Sequence, residues 1–468
     1  MFQPAEPQRF DAVAAFRPAL AAPAMAREFR AWALMALGAL ALAGVFALLL
    51  AVARIPGADA LFPWPVAFYK KSLIIHVVLS FVIWFLCAGN AVMLVTACRL
   101  ADGNPRLAGL GRPAIAAMAI SFVLLCVPAL LDRGQPALSN YVPVIIDPLY
   151  YWGLLGAALA SVLAAARALA NGISRAGALE PLGAAGLALG AIALLATAAF
   201  AISWNRLGGY PADAAANEDL FWAGGHILQF FNATLMIGAW AVLGGRALGR
   251  PAMPPRLAMA LSALNAGLAA GGLALMFVYP PFSGEERYAF TLYQYALAPA
   301  TAIAALWLVR GLSAGPMVEA EPATMARLTI YVSIAVFAIG GVLGIFVDGA
   351  DTRTPAHYHG VIGGVNVAVM GLFYLFVLPL LGRGLVRWRG ARVSIVLYGL
   401  GQVLHSLGLF VAGGYGAPRK VADTAGGIEA LGSWLGHVGI GLGGIVAVMG
   451  GVAFIWIAGR RLLERRPG

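Results

Sequence analysis

The sequence predicts an all-α, polytopic membrane protein built as a bundle of twelve transmembrane helices. Of the 468 residues, 61% are hydrophobic and only 11% are charged, and the mean hydropathy is +0.85. Soluble globular proteins are about 25% charged, so this composition excludes an ordinary soluble fold. The 58 glycines suit transmembrane helices, because small residues let neighbouring backbones approach closely.

Twelve apolar segments are each long enough to cross about 30 Å of hydrocarbon. They lie near residues 32–53, 73–97, 114–131, 143–167, 183–203, 218–245, 256–279, 289–311, 325–347, 358–381, 393–413 and 433–458. No long hydrophilic stretch separates them, so residues 31–460 are predicted to form one membrane domain. Residues 1–30 lack a continuous apolar core and predict an N-terminal arm instead of a cleavable signal. Residues 461–468 predict a short basic tail.

The positive charges predict the orientation. Two clusters are clearest, one in the loop before the eleventh segment and one at the C-terminal end: Arg383, Arg387, Arg389, Arg392, Arg460, Arg461, Arg465 and Arg466. By the positive-inside rule, both clusters and both termini face the cytoplasm of a bacterial-type inner membrane, with lipid around the bundle. The net charge of +11 therefore requires no nucleic-acid partner.

The three cysteines, Cys87, Cys98 and Cys126, lie in or beside apolar segments. None belongs to a CxxC or CxxCH motif, which excludes a covalently attached c-type haem and a disulfide framework.

The six histidines are predicted to lie at one depth, in the outer third of the membrane: His76, His226, His357, His359, His405 and His437. Neutral imidazole is the usual axial ligand of haem iron. Ionisable residues inside a membrane are candidates for function. The alternative is a set of interfacial or buried histidines that each make one hydrogen bond, and this is the favoured interpretation for His405 and His437.

His357 and His359 open the tenth segment and are separated by one residue. On an α-helix they point about 200° apart, since each residue turns the helix by about 100°. They therefore cannot chelate one metal ion from the same face. Each can instead hold a separate group, such as the iron of two haems on opposite sides of one helix.

In combination, these features resemble subunit I of the haem–copper oxidase superfamily. The matching segments are 69–94, 220–231, 356–381 and the glycine-proline-basic segment 413–421. The resemblance implies that His76 and His359 are the axial ligands of a low-spin haem and that His357 binds a second, high-spin haem. It also implies that Arg419 and Lys420 contact haem propionates, as two cations in this loop would. Two b-type haems are expected, with a- and o-type haems left open.

The second metal site departs from the family pattern. His226 matches the histidine of the sixth helix, but Tyr279 and Pro280 stand roughly where the family has an adjacent His-His pair. The tyrosine four residues after the sixth-helix histidine is replaced by Phe230. A lone imidazole rarely holds a transition metal, so copper is expected to be absent or atypical.

Several residues remain as candidates for this altered site. His226 is the remnant of the copper site and would be a distal group over the second haem or its sixth ligand. Tyr279 is a candidate catalytic residue, and Glu285 and Glu286 are candidate carboxylate ligands for an iron ion.

Three functions stay open. The first is an oxidoreductase of the terminal-oxidase type that reduces O2 or NO within a multi-subunit respiratory complex. Its electrons would come from a separate subunit, a cytochrome c or a quinol. The second is a di-haem electron-transfer subunit without terminal oxidase activity, and the third is a non-catalytic transporter or gas sensor.

Overall fold

The computed structural model describes residues 11–52, 67–172, 179–315, 318–347, 351–418 and 431–464. Within these ranges, 12 helices are long and apolar enough to cross a membrane. This confirms the predicted all-α, twelve-helix fold.

Two short elements precede the spans: helix α1 (Ala12–Phe16) and a 3-10 turn (Arg17–Leu20). The first six spans are α2 (Pro23–Val52), α3 (Ala67–Val77) continued by a π-helical segment (Val78–Ile83) and α4 (Trp84–Leu100), α5 (Gly111–Leu130), α6 (Pro148–Gly172), α7 (Pro181–Leu207) and α8 (Ala214–Leu248). The next two are α9 (Pro255–Leu275) and the pair α10 (Gly284–Tyr293) and α11 (Ala298–Ala314). The last four are α12 (Glu321–Gly344), α13 (Arg353–Leu372) continued by a second π-helical segment (Phe373–Val377) and α14 (Leu378–Leu380), α15 (Arg389–Gly414) and α16 (Leu431–Leu463).

Three of these spans form the centre of the bundle. In an apolar stretch of 18 residues within each span, buried residues make up 72% for Tyr69–Leu100, 83% for Ala214–Leu248 and 89% for Arg353–Leu380. Among the other spans in the described ranges, the highest value is 50%. The three central spans are those that carry His76, His226 and the His357–His359 pair. The polar candidates therefore lie on the most enclosed helices of the bundle.

Residues 11–30 of the predicted N-terminal arm pack against the bundle. Phe16 is buried and meets the ring of Phe376 edge-to-face at 5.6 Å. Asp11 pairs with Arg246 near the end of α8, with 2.9 Å between Oδ2 and Nη1. The first span begins at Pro23, so it starts inside the predicted arm. The cytoplasmic location of the arm stays a prediction.

A small β-hairpin closes the connection between α5 and α6. Its strands, β1 (Gln135–Ala137) and β2 (Val144–Ile146), pair in antiparallel register with Gln135 opposite Ile146. Two ion pairs anchor the connection, Lys71–Asp132 at 2.7 Å and Arg133–Asp147 at 2.9 Å. We call residues 131–147 the cap hairpin. It lies at the same end of the bundle as the beginning of α3.

A buried ion pair joins α2 to α6. The guanidinium of Arg167 donates to both carboxylate oxygens of Glu28, at 3.0 and 2.5 Å. The two side chains are only 1% and 9% exposed. Because two charges removed from water are stable only as a pair, this contact fixes how the two helices pack.

We expect Glu28→Gln to destabilise the protein strongly. Removing one partner of a buried pair leaves the other charge uncompensated, which costs about 3–5 kcal/mol in free energy of unfolding. Thermal unfolding in detergent, followed by circular dichroism, measures the change. The matched control is Glu321→Gln, whose partner Arg392 lies 3.4 Å away in an exposed pair. There the expected loss is about 0–1 kcal/mol. Equal losses in the two variants would contradict a structural role for the buried pair.

Candidate functional site

His76 lies near the end of α3, just before the helix changes its winding. The π-helical segment Val78–Ile83 begins two residues later, and Ser80 donates a hydrogen bond to the His76 carbonyl at 2.7 Å. π-Helical insertions often mark functional sites. The imidazole Nδ1 is 2.9 Å from the carbonyl oxygen of Ala43 on α2. A carbonyl only accepts, so Nδ1 carries the hydrogen and Nε2 of the neutral ring keeps a lone pair.

His357 is oriented in the same way by α12. Its Nδ1 lies 2.8 Å from the carbonyl oxygen of Gly340, which leaves Nε2 as the ligand atom of the neutral ring. This contact depends on glycines, because α12 and α13 nearly touch. A Cβ on Gly340 would meet the backbone of Gly360, and a Cβ on Gly344 would meet the His357 ring.

His359 contacts different helices from His357. Its ring centroid lies 4.6 Å from that of His405 on α15 and 6.0 Å from that of Phe81 in the π-helical segment. His405 is itself oriented by α16, since its Nδ1 is 2.8 Å from the carbonyl oxygen of Ile440. The structure thus brings His359 and His405 together, beside the π-helical segment that follows His76, and places His357 against α12.

A chain of polar side chains lies in the centre of the bundle. Asn366 donates to the Tyr398 hydroxyl at 2.7 Å and accepts from the indole of Trp84 at 2.8 Å. The chain joins α4, α13 and α15, and the sequence did not predict it. Isolated polar residues inside apolar runs were its only signal.

Both ring nitrogens of His226 have hydrogen-bond partners, whereas the contacts described for His76 and His357 involve Nδ1 alone. It is 3% exposed, and its Nδ1 lies 2.8 Å from the carbonyl oxygen of Trp222 in the preceding turn. Its Nε2 lies 2.6 Å from the hydroxyl of Tyr141 on the cap hairpin. Burial raises the pKa of the Tyr141 phenol, so the hydroxyl keeps its hydrogen and donates it. The sequence did not predict Tyr141.

The other candidates for a second metal have separate surroundings. Glu286 is buried, accepts from the Phe282 amide at 2.6 Å and pairs with Arg206 at 3.4 Å. Glu285 is exposed, and Tyr279 is partly exposed in the turn after α9. In the described ranges, no three or more His, Cys, Asp or Glu side chains form a group that could hold a metal ion.

Three predicted residues remain: Arg419, Lys420 and His437. Arg419 and Lys420 lie outside the described residues. The preceding Pro418 forms a β-bridge with Asp351, just before α13. Hydrogen bonds from the Arg353 side chain hold the pKa of Asp351 below its ordinary value. His437 bonds only within its own helix among the contacts described, with Nδ1 2.8 Å from the Ser433 carbonyl oxygen.

The sequence matches the family described as Cytochrome C and Quinol oxidase polypeptide I over residues 29–447. The chain belongs to this family. It is a haem–copper oxidase subunit I-like membrane protein, and subunit I of this family binds haems, acts in terminal oxidases and sits in multi-subunit membrane complexes. The histidine donors fit haem, since the neutral rings of His76 and His357 both keep an unprotonated Nε2, the kind of atom that would ligate haem iron.

The chain is also similar to two uncharacterised proteins and to a solved structure. An uncharacterised protein of Aquifex aeolicus (strain VF5) is 26% identical over 352 residues, which are 74% of this chain and 83% of that protein. An uncharacterised protein of Rickettsia prowazekii (strain Madrid E) is 31% identical over 151 residues, 30% of this chain and 29% of that protein. A cryo-EM structure of a heme-copper terminal oxidase dimer has the same fold. It superimposes with a TM-score of 0.72 at 14% identity and covers 95% of this chain and 85% of its own.

We expect Gly344→Val to reduce the amount of haem bound per polypeptide. A side chain at this position meets the His357 ring and would push it away from the Gly340 carbonyl. The matched control is Gly341→Val on the same helix, because a Cβ there meets nothing within 4 Å. Haem is measured by the pyridine haemochrome method on monodisperse protein. Equal haem contents in the two variants would show that the ring position of His357 is not required.

Proposed function

We propose that this chain carries two haems in a respiratory electron-transfer complex and reduces O2 or NO at the second of them. The observation that carries the proposal is the His357–His359 pair on the most buried span, with each ring directed to a different neighbouring helix. Two ligands on opposite faces of one central helix suit two separate haems.

The contacts of the histidines support a separate role for each. His76 and His359 would be the axial ligands of the low-spin haem, since the π-helical segment that follows His76 brings the Phe81 ring to 6.0 Å from the His359 ring. His357 would be the axial ligand of the second haem. Hydrogen bonds from Nδ1 to the carbonyls of Ala43 and Gly340 make the imidazoles of His76 and His357 more basic and fix their rotation.

Low-spin haem exchanges single electrons, and a haem with an open sixth position binds a diatomic gas. We propose b-type haems, with a and o types as the alternatives, and no ordinary copper ion beside the second one. Electrons arrive from a separate donor, a cytochrome c or a membrane quinol. Arg419 and Lys420 remain proposed partners of the haem propionates, since Pro418 lies beside the start of the helix that carries the histidine pair.

The charge distribution supports a cytoplasmic-membrane location with both termini in the cytoplasm. Arg383 and Arg461 lie at the same end of the bundle, where each side chain hydrogen-bonds to backbone carbonyls of the other's segment. Cations concentrated at one end of a bundle face the cytoplasm in most inner-membrane proteins.

A second candidate is a di-haem electron-transfer subunit without gas reduction. Two observations favour it: Nε2 of His226 is engaged by Tyr141, and Phe230 stands where oxidases carry a tyrosine. Carbon monoxide distinguishes the two functions. It binds a reduced five-coordinate haem and shifts its absorption, whereas two six-coordinate haems would not respond.

We expect histidine substitutions to remove the two haems separately. His76→Ala or His359→Ala should abolish the sharp reduced α-band of the low-spin haem. His357→Ala should keep that band and lose the carbon monoxide difference spectrum. His437→Ala is the control and should change neither spectrum, because its ring bonds within its own helix. Pyridine haemochrome and reduced-minus-oxidised spectra of purified protein measure these outcomes.

Two results would overturn the proposal. Wild-type protein that carries no haem would favour a transporter, and a low-spin band retained in both His76→Ala and His359→Ala would show that other residues ligate the haem. A normal low-spin spectrum with no response to carbon monoxide would support the electron-transfer candidate instead.

A further inference from the structure

The contact between Tyr141 and His226 joins two parts of the chain that are 85 residues apart. Tyr141 lies between the strands of the cap hairpin, and His226 lies on α8. The distance of 2.6 Å between the hydroxyl and Nε2 is short, and the ring centroids are 4.3 Å apart. Trp222 and Phe290 pack against the His226 ring at 4.9 and 5.2 Å, so the contact is enclosed by aromatic side chains.

The backbone at Tyr141 adopts a rare conformation that holds the side chain in this contact. Tyr141 has a φ of +47°, in the left-handed region that side chains other than those of Gly and Asn rarely adopt. Such a conformation persists only where the surroundings impose it. Gly225 leaves the space on α8 for the tyrosine, because a Cβ there would meet the Tyr141 side chain.

The neighbouring residue, Asn140, connects the cap hairpin to α8 by hydrogen bonds. The backbone amide and the Nδ2 of Asn140 donate to the two carboxylate oxygens of Glu218, at 2.7 and 2.5 Å. Glu218 is two turns before His226 on α8. The bidentate contact therefore fixes the register between the hairpin and the helix and delivers Tyr141 to the His226 ring.

The hydrogen positions follow from the partners. The Trp222 carbonyl only accepts, so Nδ1 of His226 carries the hydrogen and Nε2 of the neutral ring is an acceptor. The Tyr141 hydroxyl is the donor. The Nε2 lone pair therefore accepts the hydrogen bond from Tyr141. This is the lone pair that would otherwise bind a metal.

We propose that Tyr141 takes the place of a metal ion as the partner of His226 Nε2. Tyr141 is a positioning residue: it holds the imidazole as the Nδ1–H tautomer and keeps it from ligating either copper or the second haem. The setting of this pair, beside an open haem position, rests on the proposed function. The hydrogen bond itself does not.

Nitrogen-15 NMR of histidine-labelled protein tests the pair directly, because the chain has only six histidines. His226→Phe identifies the His226 signals by their loss from the spectrum of reduced, carbon monoxide-treated protein. In the wild type, we expect the Nε2 signal at the position of a nitrogen that accepts a hydrogen bond. In Tyr141→Phe, it should move to the position of a free imidazole nitrogen.

Tyr151→Phe is the matched control. The Tyr151 hydroxyl also donates to a side chain of α8, Asn217, at 2.6 Å, but it does not touch His226. This variant should leave the His226 signals in place. A wild-type Nε2 signal at the free position, or one that Tyr141→Phe does not move, would overturn the proposal, and the wild-type spectrum decides even if Tyr141→Phe fails to fold.

Metal analysis gives a second readout that does not depend on haem. The wild type, Tyr141→Phe and His226→Phe proteins are each incubated with Cu²⁺, desalted and assayed for copper. In the wild type, we expect no copper bound at one ion per chain through His226. One copper per chain in the wild type that His226→Phe loses and Tyr141→Phe retains would overturn the proposal. Failure of the proposed function would appear separately, as missing haem with the Tyr141–His226 signals unchanged.

Discussion

The arrangement of this protein depends on hydrogen bonds from imidazole Nδ1 atoms to backbone carbonyls. Inside a bilayer, an N–H group without a partner is costly, so a buried neutral imidazole must find an acceptor. Ala43 serves His76 and Gly340 serves His357. The same bonds that satisfy these rings also fix their rotation and leave Nε2 free. Stability and ligand orientation therefore come from one set of contacts.

The rest of the bundle keeps those contacts in register. The spans with the central histidines are the most enclosed ones, and glycines let α12 approach α13 closely enough for the Gly340 carbonyl to reach His357. The π-helical segment after His76 brings Phe81 against His359. Away from the centre, ion pairs such as Arg167–Glu28 hold the outer helices in place.

His226 shows how a single extra hydrogen bond changes what a buried imidazole can do. Among the contacts of the described residues, His76 and His357 bond a carbonyl through Nδ1 only. His226 has the same bond at Nδ1, yet Tyr141 also occupies Nε2. The lone pair that would ligate a metal therefore accepts a hydrogen bond in this structure.

The sequence by itself determined the class, the twelve spans and the opposite directions of His357 and His359, because hydrophobic length and helical period are local properties. It also placed His226 without its usual histidine partners. Only the tertiary structure decided which groups these rings meet. The Ala43 and Gly340 carbonyls reach them from other helices, and Tyr141 reaches them from the cap hairpin, whose strands the sequence did not predict. Such contacts join residues far apart in the chain, and no local pattern of hydrophobicity or spacing records them.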